Sequence, residues 1–282
     1  MKISLCLYGV VGGASGKADY APASLDILKL GYEKYKKSLF DHHDVDIYIH
    51  SWSKDQEQNI LELYKPRASI IEAQEVFDIP DYVAGDSAEQ PRRRQGCYSR
   101  WRSTQKVLDL KASSGETYDF NLVSRFDVGF ENPIDFTQLN KNELYVSNWI
   151  GAKYENVTDI FEDGRGLFYD QEDQIDESKL QLYGRGYPYN NEGLMDLWML
   201  GSDQTIGIFK TLFDNLNNYQ MPGNVPCAPL VSNHQLLLYH IKQSGLIQNL
   251  RLITNPMKDH CILRYKYFQC KDSYITTLRR SS

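Results

Sequence analysis

With 282 residues, 41% hydrophobic and 24% charged, the chain can bury a sizeable core and fits one large α/β domain or two small ones. Its net charge of −6 excludes a global field that would draw it to nucleic acid or an anionic membrane, and leaves room only for a local basic patch. The five cysteines (Cys6, Cys97, Cys227, Cys261 and Cys270) are scattered without Cys-x-x-Cys spacing, which argues against a disulfide framework and a structural zinc.

The first nine residues lack the long apolar core of a signal peptide, and no run approaches about 18 apolar residues, so a cytoplasmic location without a transmembrane segment is the expectation. Residues 3–8 predict a buried strand ending at Tyr8 and Gly9. The loop beyond it, Gly-Val-Val-Gly-Gly-Ala-Ser-Gly-Lys, fits neither a phosphate loop nor a dinucleotide fingerprint, because Val11 stands where the first glycine belongs and no Gly-x-Gly opens it. Ser24 predicts the N-cap of a helix to about Phe40, with Leu25, Leu28, Tyr32, Tyr35 and Leu39 on one face. His42 and His43 follow in a turn and read as solvated. Residues 45–50 alternate as a second strand ending in Ser51 and Trp52, and 68–72 form a short third one.

Residues 78–97 read as a loop carrying Arg92, Arg93 and Arg94, either solvated or a clamp on phosphates. A helix is expected from Ser99 to about Ala112, with Trp101, Thr104 and Leu108 inward and Arg100 and Arg102 near its start. Cations there oppose the helix dipole and so suggest a bound anion.

Residues 118–130, Tyr-Asp-Phe-Asn-Leu-Val-Ser-Arg-Phe-Asp-Val-Gly-Phe, organise the chain. With period two, Phe120, Leu122, Ser124, Phe126 and Val128 share one face, and Asn121, Val123, Arg125 and Asp127 the other. A buried strand thus delivers Arg125 and Asp127 side by side to its C-terminal end, where open α/β sheets bind ligands. The pair suits a diphosphate held partly through a divalent metal; the alternative is a plain salt bridge.

A strand at 143–148 follows, then a Tyr-, Gly- and acid-rich segment at 151–191 expected to be a substrate loop or lid. Residues 194–202 are strand-like with one embedded acid, Asp196, for which a raised pKa or a specific partner is expected, both attributes of a general base. Ser202 or Asp203 should cap a helix to about Tyr219, with Ile206, Phe209, Phe213 and Leu216 inward. Ser-Asn-His-Gln at 232–235 matches a capping box opening a helix to Ser244. His234 then lies in the first turn, where the dipole keeps an imidazole neutral and able to bind metal. Residues 250–253 predict a last strand and 271–282 a flexible tail.

These elements predict an α/β fold with a mostly parallel, doubly wound, Rossmann-related sheet and helices on both faces. Four stretches then carry a resemblance: Val-Asp-Ile-Tyr-Ile-His-Ser-Trp at 45–52, residues 118–127, Asp-Leu-Trp-Met-Leu-Gly-Ser at 196–202, and Ser-Asn-His-Gln-Leu-Leu-Leu at 232–238. In this order they resemble bacterial and viral glycosyltransferases of the GT-A fold, among them lipopolysaccharide-biosynthesis transferases of the WavE type.

The resemblance implies one GT-A-like domain over residues 1–270, with a nucleotide-binding half at 1–130 and a loop-rich acceptor half at 131–270. It implies sugar transfer from a nucleotide sugar, a UDP-sugar first, to an acceptor hydroxyl of a bacterial surface glycan, inverting with Asp196 as base. Tyr8, Gly9, Val10, Ser51 and Trp52 would contact the nucleoside. Arg100, Arg125 and Asp127 would hold the diphosphate, with manganese or magnesium on Asp127 and His234. Where the family has Asp-x-Asp, this chain reads Arg-Phe-Asp, so Arg125 is the other candidate for neutralising the diphosphate. Two further readings stay open: a phage-type transferase acting on a modified base in DNA, suggested by the arginines around Trp101, and a non-catalytic nucleotide- or glycan-binding protein.

Overall fold

The structure is a computed structural model describing residues 1–12, 24–83, 90–147, 194–221, 224, 233–253 and 260–263, with backbone alone at 90–93, 235, 252 and 260–262. The segments expected at 151–191 and 271–282, and Ser232 of the capping box, lie outside these residues.

Strand β1 (Lys2–Gly9) lies inside the sheet and is buried along its length except at its ends. It pairs in parallel with β2 (Asp44–Ser51) on one side and β4 (Phe120–Arg125) on the other, and β3 (Ala68–Ile71) extends the β2 side. A short β5 (Val128–Phe130) leaves β4 for a separate antiparallel pairing with β9 (His260–Ile262). Beyond β4 come β7 (Met195–Gly201), β6 (Leu144–Ser147) and β8 (Leu250–Ile253), giving the order β3-β2-β1-β4-β7-β6-β8.

Most neighbours are parallel, as expected, but β7 runs antiparallel to both β4 and β6. That reversal is the antiparallel part of a mostly parallel sheet. It also brings the first residues of β7, Asp196 included, to the end of the sheet where β1 and β4 finish.

The period-two alternation divides the core into two layers. Ile3, Leu5 and Leu7 of β1 join Ile49 and Leu122 on the face covered by α1 (Leu25–Tyr35) and α2 (Glu57–Tyr64), through Leu28, Tyr35, Ile60 and Tyr64. Cys6 and Tyr8 join Tyr48, Val123 and Met199 on the other face. That face is covered by α3 (Gln90–Ser113), α4 (Asp203–Gly207), α5 (Leu212–Tyr219) and α6 (Asn233–Gln243), through Trp101, Ile206, Leu216 and Leu237. Each large apolar side chain so buried is worth roughly 1.5–3 kcal/mol. Among the described residues no helix is long and apolar enough to cross a membrane.

Ser24 caps α1, accepting from the Ile27 N–H at 3.5 Å, and the helix closes in a π turn over Lys36–Phe40. Ser202 likewise caps α4. Of the apolar face expected on α1, Leu28, Tyr35 and Leu39 are buried, whereas Leu25 in the first turn is exposed.

The largest departure is α3, which starts at Gln90, nine residues before the expected Ser99. Residues 90–96, Gln-Pro-Arg-Arg-Arg-Gln-Gly, have no apolar period, yet arginine favours helix and a proline is tolerated in a first turn. Arg100 and Arg102 therefore lie in mid-helix, and the dipole argument for an anion at their position does not apply. Trp101, Thr104 and Leu108 face inward as expected.

Helix α1 seats the end of β4 closely. A Cβ on Gly31 would lie 2.5 Å from the Phe126 carbonyl oxygen and 3.3 Å from the Tyr64 hydroxyl. Gly31→Ala should lower stability by about 1–3 kcal/mol in urea unfolding, because the obstruction is backbone. Gly207→Ala, with nothing within 4 Å, should be neutral or gain up to about 1 kcal/mol. Equal effects of the two would remove the packing argument.

Candidate functional site

From β1 the chain passes to β2 and β3 on one side and returns to β4 on the other, so the carboxyl ends of β1 and β4 flank a point where the winding reverses. Such points leave a crevice that ligands occupy. Two ion pairs and a tyrosine meet there.

The first pair is local. The strand breaks after Arg125, and Asp127 turns back so that Arg125 donates from Nε to Oδ1 at 2.8 Å and from Nη2 to Oδ2 at 2.6 Å. The expected strand through Asp127 is thus shorter, and the two side chains form a two-pronged salt bridge instead of standing side by side. The Asp127 side chain is 2% exposed and that of Arg125 17%. Burial works against the Arg125 charge, but the Asp127 carboxylate outweighs it and raises the Arg125 pKa. Behind the pair, the Tyr35 hydroxyl donates to the Arg125 carbonyl at 3.0 Å and lies 2.8 Å from Ser124 Oγ, fixing the strand end to α1.

The second pair joins distant segments. Arg100, from the middle of α3, donates from Nη1 to Asp196 Oδ2 and from Nη2 to the Asp196 carbonyl and, at 2.6 Å, to the Tyr8 hydroxyl. Its guanidinium lies 5.3 Å from the Tyr8 ring centre and 4.7 Å from that of Trp101. His234, in the first turn of α6, donates from Nδ1 to the Leu194 carbonyl at 2.8 Å and lies 3.4 Å from Asp196 Oδ1.

Asp196 has the specific partner expected of it, and not a raised pKa. Burial pushes its carboxyl up, but the charges of Arg100, His234 and Arg125 more than offset this and hold it below the usual range. It is therefore ionised and engaged. The Tyr8 hydroxyl, by contrast, is pushed up to about 12, mainly by burial.

Of the five residues expected to touch a nucleoside, only Gly9 and Val10 present surface. Tyr8 is enclosed beneath Arg100, Ser51 accepts from the Ser53 N–H, and the Trp52 indole donates to the Ser99 carbonyl at 3.1 Å while both side chains are buried. The side-chain contacts expected from Tyr8, Ser51 and Trp52 are closed by packing. The basic patch around Trp101 is likewise reduced. Arg100 is internal, and Arg102 is turned onto Gln105 and the Phe213 ring. His42 and His43 each bond a backbone carbonyl, of Lys37 and Ile134.

Both Asp127 oxygens accept from Arg125, so a cation there must displace a guanidinium. Among the described residues no group of three or more His, Cys, Asp or Glu side chains is arranged to hold a metal ion.

A buried chain of hydrogen bonds beside β1 was not anticipated from the sequence. Gly9, at φ +93°, donates its N–H to Ser103 Oγ at 2.7 Å, and Ser103 contacts His50 Nδ1 at 2.6 Å. His50 Nε2 meets Glu72 Oε1 at 3.1 Å, and Lys106 pairs with the same carboxylate. An ionised carboxylate only accepts, so Nε2 carries the proton, Nδ1 accepts, and Ser103 donates to it. His50 and Glu72 occupy the carboxyl ends of the adjacent strands β2 and β3. Only the register that sets Ser51 beside Ile71 brings them together.

No protein-family model matches the chain, and no curated protein matches it. The class defined by the fold is an α/β protein with a mostly parallel seven-stranded sheet flanked by helices and a charged cluster at its switch point.

Burial, with Lys106 nearby and against the Glu72 bond, lowers the His50 pKa to about 4, below its ordinary value of about 6.5. The unfolded chain then binds the extra proton first. Stability is complete above about pH 6.5 and falls as pH drops toward 4, by up to roughly 1.4 kcal/mol per unit. Urea unfolding at steps between pH 7 and 4 should show this slope, and His50→Gln should flatten it. An unchanged slope in the variant would assign it elsewhere. Ser103→Ala, which strands two buried partners, should cost about 1–3 kcal/mol at pH 7.

Proposed function

We propose that the protein is a glycosyltransferase of GT-A architecture, moving a sugar from a nucleotide sugar, a UDP-sugar in first place, to a hydroxyl of a bacterial surface glycan. The observation that carries this is the meeting of two guanidiniums and two carboxylates at the carboxyl ends of β1 and β4. Cations suit a diphosphate leaving group, and a carboxylate beside them suits the acceptor.

On this reading Arg125 and Arg100 neutralise the diphosphate, which gains charge as it departs. Gly9 and Val10 offer backbone at the crevice. Asp196 takes the acceptor proton as the acceptor oxygen forms its bond to the anomeric carbon and the bond from that carbon to the phosphate oxygen breaks. The electron pair leaves with the nucleoside diphosphate. Manganese or magnesium on Asp127 and His234 remains part of the proposal, but it requires Arg125 to move, and no step is assigned to it. The runner-up, a nucleotide- or glycan-binding protein without turnover, draws on the fact that both carboxylates are already neutralised. The DNA-modifying reading loses support as Arg100 and Arg102 turn inward.

A panel of nucleotide sugars, with and without Mn²⁺, should raise the melting midpoint with at least one donor. Asp196→Asn should then slow transfer by about 10²–10⁴-fold without weakening UDP binding. Intact turnover in both Asp127→Ala and Asp196→Ala would refute the site assignment. Nucleotide binding without transfer or hydrolysis of any donor would favour the runner-up.

A further inference from the structure

Arg100 cannot serve a phosphate and Asp196 cannot serve as a base while they hold each other. The Nη1 and Nη2 donors of Arg100 lie on the Asp196 carboxylate, the Asp196 carbonyl and the Tyr8 hydroxyl, and the two side chains are 9% and 8% exposed. Arg100 Nε is also buried without an acceptor, as is the neighbouring Trp101 Nε1. The guanidinium thus keeps hydrogen-bonding capacity that Asp196 and Tyr8 do not use. The guanidinium also rests on the Tyr8 and Trp101 rings, which support its plane whichever anion it faces.

We propose that Asp196 is an internal competitor for phosphate at Arg100: a diphosphate takes its place on the guanidinium, and the displaced carboxylate becomes the free base. The proposal rests on the sugar-nucleotide reading above. One anion takes the place of another on the same cation, and no covalent bond is made or broken. His234, whose Nδ1 donates to the Leu194 carbonyl and lies 3.4 Å from Asp196 Oδ1, is the neighbour beside which the released carboxylate stays. Donor binding and base release are then one event, and the coupling is reciprocal: whatever weakens the Arg100–Asp196 contact tightens the diphosphate.

The test is calorimetric titration of inorganic diphosphate and of UDP, without divalent cations, into the full chain and into Asp196→Asn, Arg100→Gln and the double variant. Asp196→Asn should tighten binding about tenfold when Arg100 is present, and no more than about twofold in the Arg100→Gln background. Tightening of equal size in both backgrounds would be plain charge repulsion and would overturn the exchange, as would no tightening. If the unaltered chain binds UDP but Asp196→Asn gains nothing, the exchange alone fails. If neither ligand binds any of the four proteins, the sugar-nucleotide reading fails with it. A structure of the unaltered protein with UDP is independent of variant folding. Arg100 on phosphate and off the Asp196 carboxylate supports the exchange, and an intact pair beside bound UDP refutes it.

Discussion

The contact between Arg100 and Asp196 ties together three parts of the chain that share no local sequence signal. It joins the middle of α3 to the start of β7 across Tyr8 of β1, so one guanidinium links an interior parallel strand to the reversed one. Buried ion pairs of this kind add little net stability over apolar packing, yet losing one partner costs about 3–5 kcal/mol. The pair therefore acts as a constraint on arrangement: α3 must lie across β1 at one register for the charges to meet. The Arg125–Asp127 bridge beside it imposes the same demand on the turn between β4 and β5. Four charges that sum to zero can be kept in a crevice without a ligand, while two cations remain close to where one would sit.

The buried strands were legible because alternation and apolar runs specify them locally. Residues 3–8, 45–50, 68–72 and 250–253 agree with β1, β2, β3 and β8 to within a residue or two. The Arg125–Asp127 feature was legible as a pair, since two residues at one strand end need no tertiary knowledge. Its geometry was not, because the strand stops at Arg125 to let Asp127 fold back. Strand direction has no local signature either: an apolar run such as 195–201 reads the same whichever way it enters the sheet. That is why Asp196 was recognised as an acid in need of a partner while the partner, 96 residues earlier, was not. The start of α3 escaped because an arginine-rich turn carries helix propensity without amphipathic period. The chain from Gly9 to Lys106 escaped because it depends on the register between two parallel strands.

The polar interior is arranged in two tiers. Closest to the crevice are ion pairs whose members are charged and exchangeable. Behind them, Ser103, His50 and Glu72 form a directional series of neutral and charge-assisted bonds that starts from the Gly9 N–H and ends on the Glu72 carboxylate. The outer tier suits chemistry, and the inner one holds the backbone of the β1 turn at a left-handed glycine, where a side chain would be strained. The two tiers meet at consecutive residues, Tyr8 and Gly9.

The outermost members of the sheet, β3 and β8, are only four residues long. On β8, Arg251 reaches back to Glu143 at 2.9 Å, so one rim carries a fixed charge. An unpaired rim is where a second molecule could add a strand and begin a growing fibril. Rims this short offer few successive amide positions to such an addition, and a charge beside them penalises a flat approach. Within the described residues, the long and strongly apolar strands β1, β4 and β7 are all interior to the sheet, where self-association cannot reach them.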